Sequence, residues 1–390
     1  MGIPMAPDIA YWPRARSLNV GRNTSETGAT MKAAVLREVG KPLLIEDVQI
    51  DKPGPHEVLI RTAAAGVCHS DLHFMEGAFP TPLPAVVGHE SAGVVEAVGS
   101  EVRTVKPGDH VITCISAYCG HCEYCLGGRL NLCMSPETRR GGDEKPRLAF
   151  REGPLAPYLN TSSFAEQMLV HEHAVVAIRK DMPLDRAALI GCAVITGVGA
   201  VINASKVQPG ETVAVLGCGG VGLSTINGAE IVGAGRIIAI DISPEKEALA
   251  RKLGATDFLL AGDDIAKRVR QLTGGGVHHS FEAIGLAKSV EQSFSMLRRG
   301  GTANVIGMLP AGEKISLTAA GFLEERRIQG SQIGSNRFPI DMPRLVDLYM
   351  SGKLKLDDLI SRRLKLDEIN DAFDELKRGT LARSVIVFDA

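Results

Sequence analysis

The sequence predicts a two-domain α/β chain in which a β-rich domain is joined to a doubly wound parallel-sheet domain. Three observations predict it. Residues 31–191 break into short β-branched or alternating stretches split by Gly and Pro, as at 57–61, 91–98 and 110–113, which reads as short strands. From about 194 to 334 apolar strands alternate with helical patterns, the strands falling at 212–216, 236–240, 279–283 and 302–306. Such alternation indicates a parallel sheet covered on both faces. A glycine-rich turn directly follows the first of those strands.

The ends of the chain complete the plan. A helical pattern at 369–377 and a strand at 384–388 return to pack on the first domain. The expected boundaries are therefore 31–193 with 336–390 for the β-rich domain, and 194–335 for the parallel-sheet domain. Residues 1–30 carry Pro4, Pro7, Pro13, Arg14, Arg16 and Glu26 with no continuous apolar core. They read as a flexible extension or an upstream start before Met31, with a docked arm or targeting peptide as the alternative, and not as a secretory signal.

Composition narrows the function classes. The chain has 390 residues, 45% apolar residues, 43 glycines and a formal net charge of -2. That balance leaves no electrostatic footprint for nucleic acid. No uninterrupted apolar run reaches the roughly 18 residues of a membrane span, so no membrane partner is expected. The eight cysteines cluster, and without a secretory signal they read as reduced, cytoplasmic metal ligands before disulfides.

The glycine turn is Gly217-Cys-Gly219-Gly220-Val221-Gly222, between the strand Thr212–Leu216 and a helical pattern at 223–232. In that context Gly217 makes the tight turn, Gly219 lets the backbone approach a pyrophosphate, and Gly222 lets helix and strand pack closely. The helix start presents free N–H groups to the phosphates. Asp241 lies 19 residues beyond Gly222 at the end of the next strand. A carboxylate there accepts from both ribose hydroxyls and repels a 2′-phosphate, favouring NAD over NADP. The bland alternative is a glycine turn that binds nothing.

Cys119, Cys122, Cys125 and Cys133 form a C-x2-C-x2-C-x7-C cluster. Four thiolates so spaced suit a closed tetrahedral zinc site, which holds a loop and does no chemistry. An iron–sulfur cluster uses similar spacing, but nothing else in the chain reads as electron transfer. His121 is a bystander to this set. Cys114 and Cys218 read as small apolar fillers.

A further constellation comprises Cys68-His69-Ser70-Asp71-Leu-His73, Gly88-His89-Glu90 and Gly191-Cys192. Taken singly these residues say little. Taken in order with the four-cysteine loop, the glycine turn and Asp241, they make the chain from Met31 onward resemble the medium-chain zinc alcohol dehydrogenases. The resemblance implies a GroES-like catalytic domain, a Rossmann cofactor domain, and two zinc ions per subunit. By motif match the catalytic zinc ligands would be Cys68, His89 and Cys192, with a fourth position open. Such a metal lowers the pKa of an alcohol O–H, as it does for water. Hydride then passes between the alcohol carbon and NAD.

The remaining roles also follow from the resemblance. Ser70 would take the alcohol proton, and a ribose hydroxyl of the cofactor and His73 pass it to solvent; a turn-forming serine and a surface histidine are the alternatives. Asp71 would orient His89 and Glu90 match a buried acid near the metal, unless both are ordinary salt-bridge partners. His69 falls where relatives often carry Arg against the pyrophosphate, and an imidazole there would weaken that contact at high pH and speed NADH release. Thr196 would lie beside the nicotinamide, Lys246 reach the adenosine ribose, and Arg383 bind the pyrophosphate; for Lys246 and Arg383 solvated surface charge is the alternative. Gly220, Val221 and Ile306 complete the implied cofactor contacts.

The substrate is the least legible part. Ile115 and Ala117 suggest room for a bulky, branched or aromatic primary alcohol or aldehyde. A branch of the family oxidises a thiol adduct of formaldehyde and needs cations for the thiol's carboxylates. Arg139, Arg140 and Lys145 lie in a suitable segment, but Glu137, Asp143 and Glu144 do too. A non-catalytic zinc or nucleotide-binding protein is the reading from another class, and the intact ligand and relay set opposes it. Pairing through residues 302–306, taken as the edge of the cofactor sheet, would give a homodimer, with a homotetramer as the alternative.

Overall fold

The structure, a computed structural model, describes residues 29–141, 143–379 and 382–389. The flexible extension expected over 1–30 lies outside these residues except at its end. There the expectation is corrected: Ala29 and Thr30 open the strand Ala29–Leu36, pairing with Ile50 and Gln49. The ordered β-rich part thus starts two residues before Met31.

The β-rich part holds two sheets. One has four strands, in the order Ala85–Val86, Ala29–Leu36, Leu44–Ile50 and Leu148–Ala149. The other has seven and is built around the strands Glu57–Gly66 and Glu90–Val98, which pair antiparallel with Gly66 opposite Glu90. The C-terminal strand Arg383–Val387 lies on the other side of Glu57–Gly66, with Val385 opposite Gly66. That pairing returns the end of the chain to this sheet.

The other part is a six-stranded parallel sheet, ordered Asp257–Leu260, Arg236–Asp241, Thr212–Leu216, Val277–Glu282, Leu297–Val305 and Arg327–Gly330. The order runs outward in both directions from Thr212–Leu216 and Val277–Glu282. Ligands bind in the crevice at such a switch point, beyond the carboxyl ends of the strands. The edge strand expected at 302–306 is corrected here. Residues 302–305 are interior, paired with both Val277–Glu282 and Arg327–Gly330. The last strand at this side is Arg327–Gly330, whose sequence Arg-Ile-Gln-Gly carries no apolar run to mark it.

The two parts share one long helical stretch, Leu184–Ser205, of 22 residues. Its length and apolar composition would let it cross a membrane, so the expectation that no stretch is long enough is corrected. Gly, Thr and Cys interrupt the apolar run in sequence without breaking the helix. The stretch is apolar because most of it is buried, 78% of its most apolar window. It packs on Glu57–Gly66 and Glu90–Val98 at its start and on the helix Gly220–Ile231 further along. Two π-helical segments, Ile190–Val194 and Ala200–Ser205, lie within it, a distortion often found at functional sites.

The loop after Cys133 is pinned by ion pairs. Glu57, 5% exposed, accepts from Arg140 and from Arg147 Nε at 2.6 Å. Asp51 accepts from Arg140 at 2.6 Å and from Lys145 at 2.7 Å. Burial would raise the Glu57 carboxyl, but the Arg140 hydrogen bonds and the Arg147 charge outweigh it and hold it below its ordinary range. Its stabilising effect is therefore complete above about pH 4.3 and lost as pH falls through the lower folded value. Glu57→Gln leaves two buried guanidinium groups short of a counter-charge and should cost about 3 kcal/mol in urea unfolding at pH 7. The gap between variant and wild type should narrow as pH falls below 4.

Candidate active site

Three elements deliver the first metal set. Cys68 follows the strand Glu57–Gly66 and precedes the helix His69–Met75. His89 follows Gly88, whose φ of +97° turns the chain into the strand Glu90–Val98. Cys192 lies on the π-helical segment Ile190–Val194. The ligand atoms of these three residues all lie within 4.8 Å of one another. The two sulfurs are 3.9 Å apart, and His89 Nε2 is 3.1 Å from Cys192 Sγ. A tetrahedral ion with 2.3 Å Zn–S bonds needs sulfurs about 3.8 Å apart, so the donor set fits zinc. All three residues line a cleft, so an ion they held would keep one coordination position for a small molecule.

Asp71 and Glu90 are both buried beside this set. Asp71 Oδ1 is 2.9 Å from His89 Nδ1, a contact that leaves Nε2 turned toward the sulfurs. Burial would depress the His89 imidazole, but the charge and hydrogen bond of Asp71 override it and raise it well above the ordinary range. Glu90 Oε2 lies 3.8 Å from Arg383. Burial pushes the Glu90 carboxyl up to about 7 against the pull of that guanidinium. Ser70 Oγ sits 3.7 Å from Cys68 Sγ and donates to Met308 Sδ at 3.3 Å. His73, one turn on, is half-buried, and its ring centroid lies 6.1 Å from that of Phe79.

The four remaining ligand candidates form a second set. Cys119, Cys122, Cys125 and Cys133 bring all four sulfurs within 4.8 Å of one another, with neighbouring pairs at 3.4 to 3.9 Å. None is in a disulfide. Backbone N–H groups of His121 and Cys122 pull the Cys119 thiol down to about 6, while burial and its neighbours push Cys125 up to about 12. So close a group of thiols cannot all ionise without a cation among them, which again fits zinc. His121 points to Glu137 at 3.2 Å instead. Cys114 and Cys218 are fully buried, and burial raises their thiols to about 11 and about 12.

A cleft of about 2390 Å³ runs from the first metal set to the parallel-sheet switch point. Cys68, Ser70, His73, His89, Cys192 and Thr196 line one end, and Gly217, Gly219, Gly220, Asp241, Lys246 and Arg383 the other. Gly217 has a φ of +92°. A Cβ on Gly222 would lie 1.7 Å from Gly217 O, whereas one on Gly219 would meet nothing within 4 Å. The turn thus closes on itself at Gly222 and leaves an open cradle at Gly219, as a pyrophosphate requires. Asp241 accepts from the backbone N–H of Cys218 at 2.7 Å and of Ser243 at 3.0 Å, which fixes its carboxylate at the cleft edge.

The other cofactor candidates surround this cradle. Arg383, 4% exposed, donates to Val67 O at 2.9 Å and lies where a Gly220 Cβ would meet its Nε at 2.1 Å. Val221 and Ile306 line the cleft between its two ends. His69 is exposed at the rim. The substrate end is walled by Phe74, Phe79, Ile115, Leu132, Leu159 and Met308, with Ala117 beside them.

Several site residues carried no signal in the sequence. Met308 meets Ser70 across 238 residues of chain. Glu282 ends a central strand and accepts from Ile284 N, Gly285 N and Ser289 Oγ at 2.7 to 2.9 Å, bracing the loop beside the cleft. Only its place at the carboxyl end of a strand could have pointed to it. Of the three cations weighed for a thiol substrate, Arg140 and Lys145 are held in ion pairs by Asp51 and Glu57. Arg139 alone of the three lines the cleft, its Nε 3.4 Å from Asn160 Oδ1.

Comparison with known proteins agrees with this geometry. Residues 54–180 match the alcohol dehydrogenase GroES-like domain, and residues 220–350 match the zinc-binding dehydrogenase domain. Alcohol dehydrogenase class-3 of Drosophila melanogaster is 40% identical over 370 residues, covering 92% of this chain and 98% of that one. S-(hydroxymethyl)glutathione dehydrogenase of Saccharomyces cerevisiae is 39% identical over 370 residues, covering 92% and 96%. The crystal structure of benzyl alcohol dehydrogenase from Acinetobacter calcoaceticus superposes with a TM-score of 0.86 at 33% identity, covering 93% and 100%. Two zinc equivalents per chain are expected by elemental analysis. Cys192→Ala should lower the count to one, and Cys125→Ser should remove the other and lower the melting temperature.

Proposed function

The chain belongs to the zinc-dependent medium-chain alcohol dehydrogenase family, and from that premise we propose that it moves hydride reversibly between a bulky or aromatic primary alcohol, or its aldehyde, and NAD. The observation that carries this reading is one continuous cleft, with two cysteines and a histidine at one end and a glycine cradle at the other. On this reading residues 194–335 bind the dinucleotide, and 31–193 with 336–390 carry both metals.

Cys68, His89 and Cys192 would hold one zinc, and Cys119, Cys122, Cys125 and Cys133 the other. When bound, zinc supplies Lewis acidity toward the substrate oxygen and NAD the hydride acceptor. Ser70 Oγ, at the mouth of the metal set, takes the hydroxyl proton from the substrate. His73, half-buried one turn along the same helix, hands that proton to solvent. Asp71 holds His89 in one tautomer through Nδ1. Thr196 bears on the nicotinamide, the glycine cradle and Arg383 hold the pyrophosphate, and Lys246 and Asp241 flank the adenosine ribose. The apolar walls exclude water from the reacting centre and suit a substrate with a sizeable apolar group.

A second reading, oxidation of a thiol adduct of formaldehyde, is favoured by one observation. Arg139 stands in the substrate end of the cleft, where a carboxylate of the thiol could meet it. Two further readings belong here. Zinc ligands kept as free thiols fit a cytoplasmic setting, and the strand Arg327–Gly330 is the sheet side through which two copies would pair as a homodimer.

The test is NAD reduction over short, long, branched and aromatic alcohols, with and without glutathione. Turnover of aromatic alcohols without thiol supports the main reading, whereas formaldehyde oxidation only with thiol moves the assignment to the second. Cys192→Ala should lower kcat about 10³-fold or more; full turnover in that variant would sink both. Asp241→Ser removes the charge that opposes a 2′-phosphate, and should shift the NAD/NADP preference in kcat/KM by about 10- to 100-fold toward NADP.

A further inference from the structure

Among the buried polar atoms near the first metal set that have no hydrogen-bond partner are Oδ2 of Asp71 and the hydroxyl of Tyr158. Asp71 is fully buried and Tyr158 is 1% exposed. Native proteins leave few such atoms unpaired, because each has given up water for nothing. The two side chains are neighbours. The Tyr158 ring meets the edge of Phe74 at 5.3 Å and 85°, and Phe74 lies three residues beyond Asp71 on the helix His69–Met75. Burial and the Asp71 charge push the phenol well above its ordinary range, so it keeps its proton and can donate.

The backbone around Tyr158 is built at some cost. Leu159, Asn160 and Ser162 have φ of +45°, +62° and +52°, in the left-handed region that residues with a side chain seldom occupy. Strain of this kind persists where the surroundings over-determine it. Here they do: Thr161 Oγ1 and Ser163 N both donate to Gly88 O at 3.0 Å, and Phe164 N donates to Val87 O at 3.0 Å. Thr161 N and Ser162 N close back on Tyr158 O at 3.0 and 3.1 Å. The turn is thus fastened to the two residues before His89, and it fixes the phenol against Asp71.

We infer that Tyr158 is a positioning residue whose hydroxyl donates to Oδ2 of Asp71, so that Tyr158, Asp71 and His89 form one chain ending on the metal. This rests on the reading of Cys68, His89 and Cys192 as a zinc site. The phenol stops rotation of the carboxylate, keeps Oδ1 on His89 Nδ1, and holds Nε2 aimed at the ion. Partners at this remove from a metal ordinarily change its affinity or its activity about 10- to 100-fold.

The test uses the full-length holoenzyme. The zinc content of wild type is measured first; fewer than two equivalents would sink the functional reading itself, and would do so before Tyr158 is touched. Tyr158→Phe removes one oxygen and leaves the ring. It should speed loss of one zinc to a chelator about 10-fold and leave release of the four-cysteine zinc unchanged. With cobalt at the first site the visible spectrum should shift. The variant should lower kcat more than it changes the NAD dissociation constant, and in an Asp71→Asn background it should add no further loss. Release rates and a cobalt spectrum equal to wild type would overturn the inference. Should Tyr158→Phe not fold, a crystal structure of the wild-type holoenzyme decides: the hydroxyl must lie within about 3.2 Å of Asp71 Oδ2, and a larger separation rejects the contact.

Discussion

The position of one helix sets the distance between the metal and the dinucleotide. Leu184–Ser205 carries both Cys192 and Thr196 to the metal end of the cleft. Four residues on a helix are about 6 Å apart along the axis, so the spacing of Cys192 and Thr196 is built into one element. The fit depends on backbone meeting backbone. A Cβ on Gly197 would lie 2.5 Å from Val221 O, on the helix that begins at the glycine cradle. Any side chain there would push the cradle away from the metal. The helix is also why the two parts of the molecule make one site.

Around that axis charges are placed in nested layers. Buried acids, Asp71 and Glu90, stand behind the imidazole and the thiols, and Arg383 stands between Glu90 and the glycine turn. Isolated, any of these charges would be costly to bury. Together, and with the dication that two thiolates here would hold, they would approach neutrality. The four-cysteine lobe uses the same principle in a closed form, and touches the cofactor side through Asn131 Nδ2 donating to Gln332 O at 3.2 Å.

Much of this was legible because motif spacing is local. Cys119 to Cys133, the turn from Gly217 to Gly222, and the strand on either side of it are short-range patterns that fix their own geometry. The convergence of Cys68, His89 and Cys192 was legible only through resemblance, since nothing in their spacing says they meet. Some of the misses are long-range and some are local. Residues 302–305 looked like an edge until Arg327–Gly330, a short polar strand, paired beside them. Gly, Thr and Cys hid the continuity of the 22-residue helix. Arg140 and Lys145 looked available to a substrate, but carboxylates more than 80 residues away in sequence hold them. The left-handed turn at 159–162 has no glycine to announce it.

The pairing of Arg383–Val387 with Glu57–Gly66 imposes an order on assembly. Arg383 reaches Val67 across 316 residues, and its guanidinium fills the space between Gly220 and Glu90. During synthesis, which releases the N-terminal parts first, the thiols and the imidazole are made long before their arginine. Until residue 387 emerges, the seven-stranded sheet lacks a strand and Glu90 lacks its counter-ion. The nascent chain can bring its thiols and imidazole together early, but the sheet behind them is complete only when the strand Arg383–Val387 adds to it.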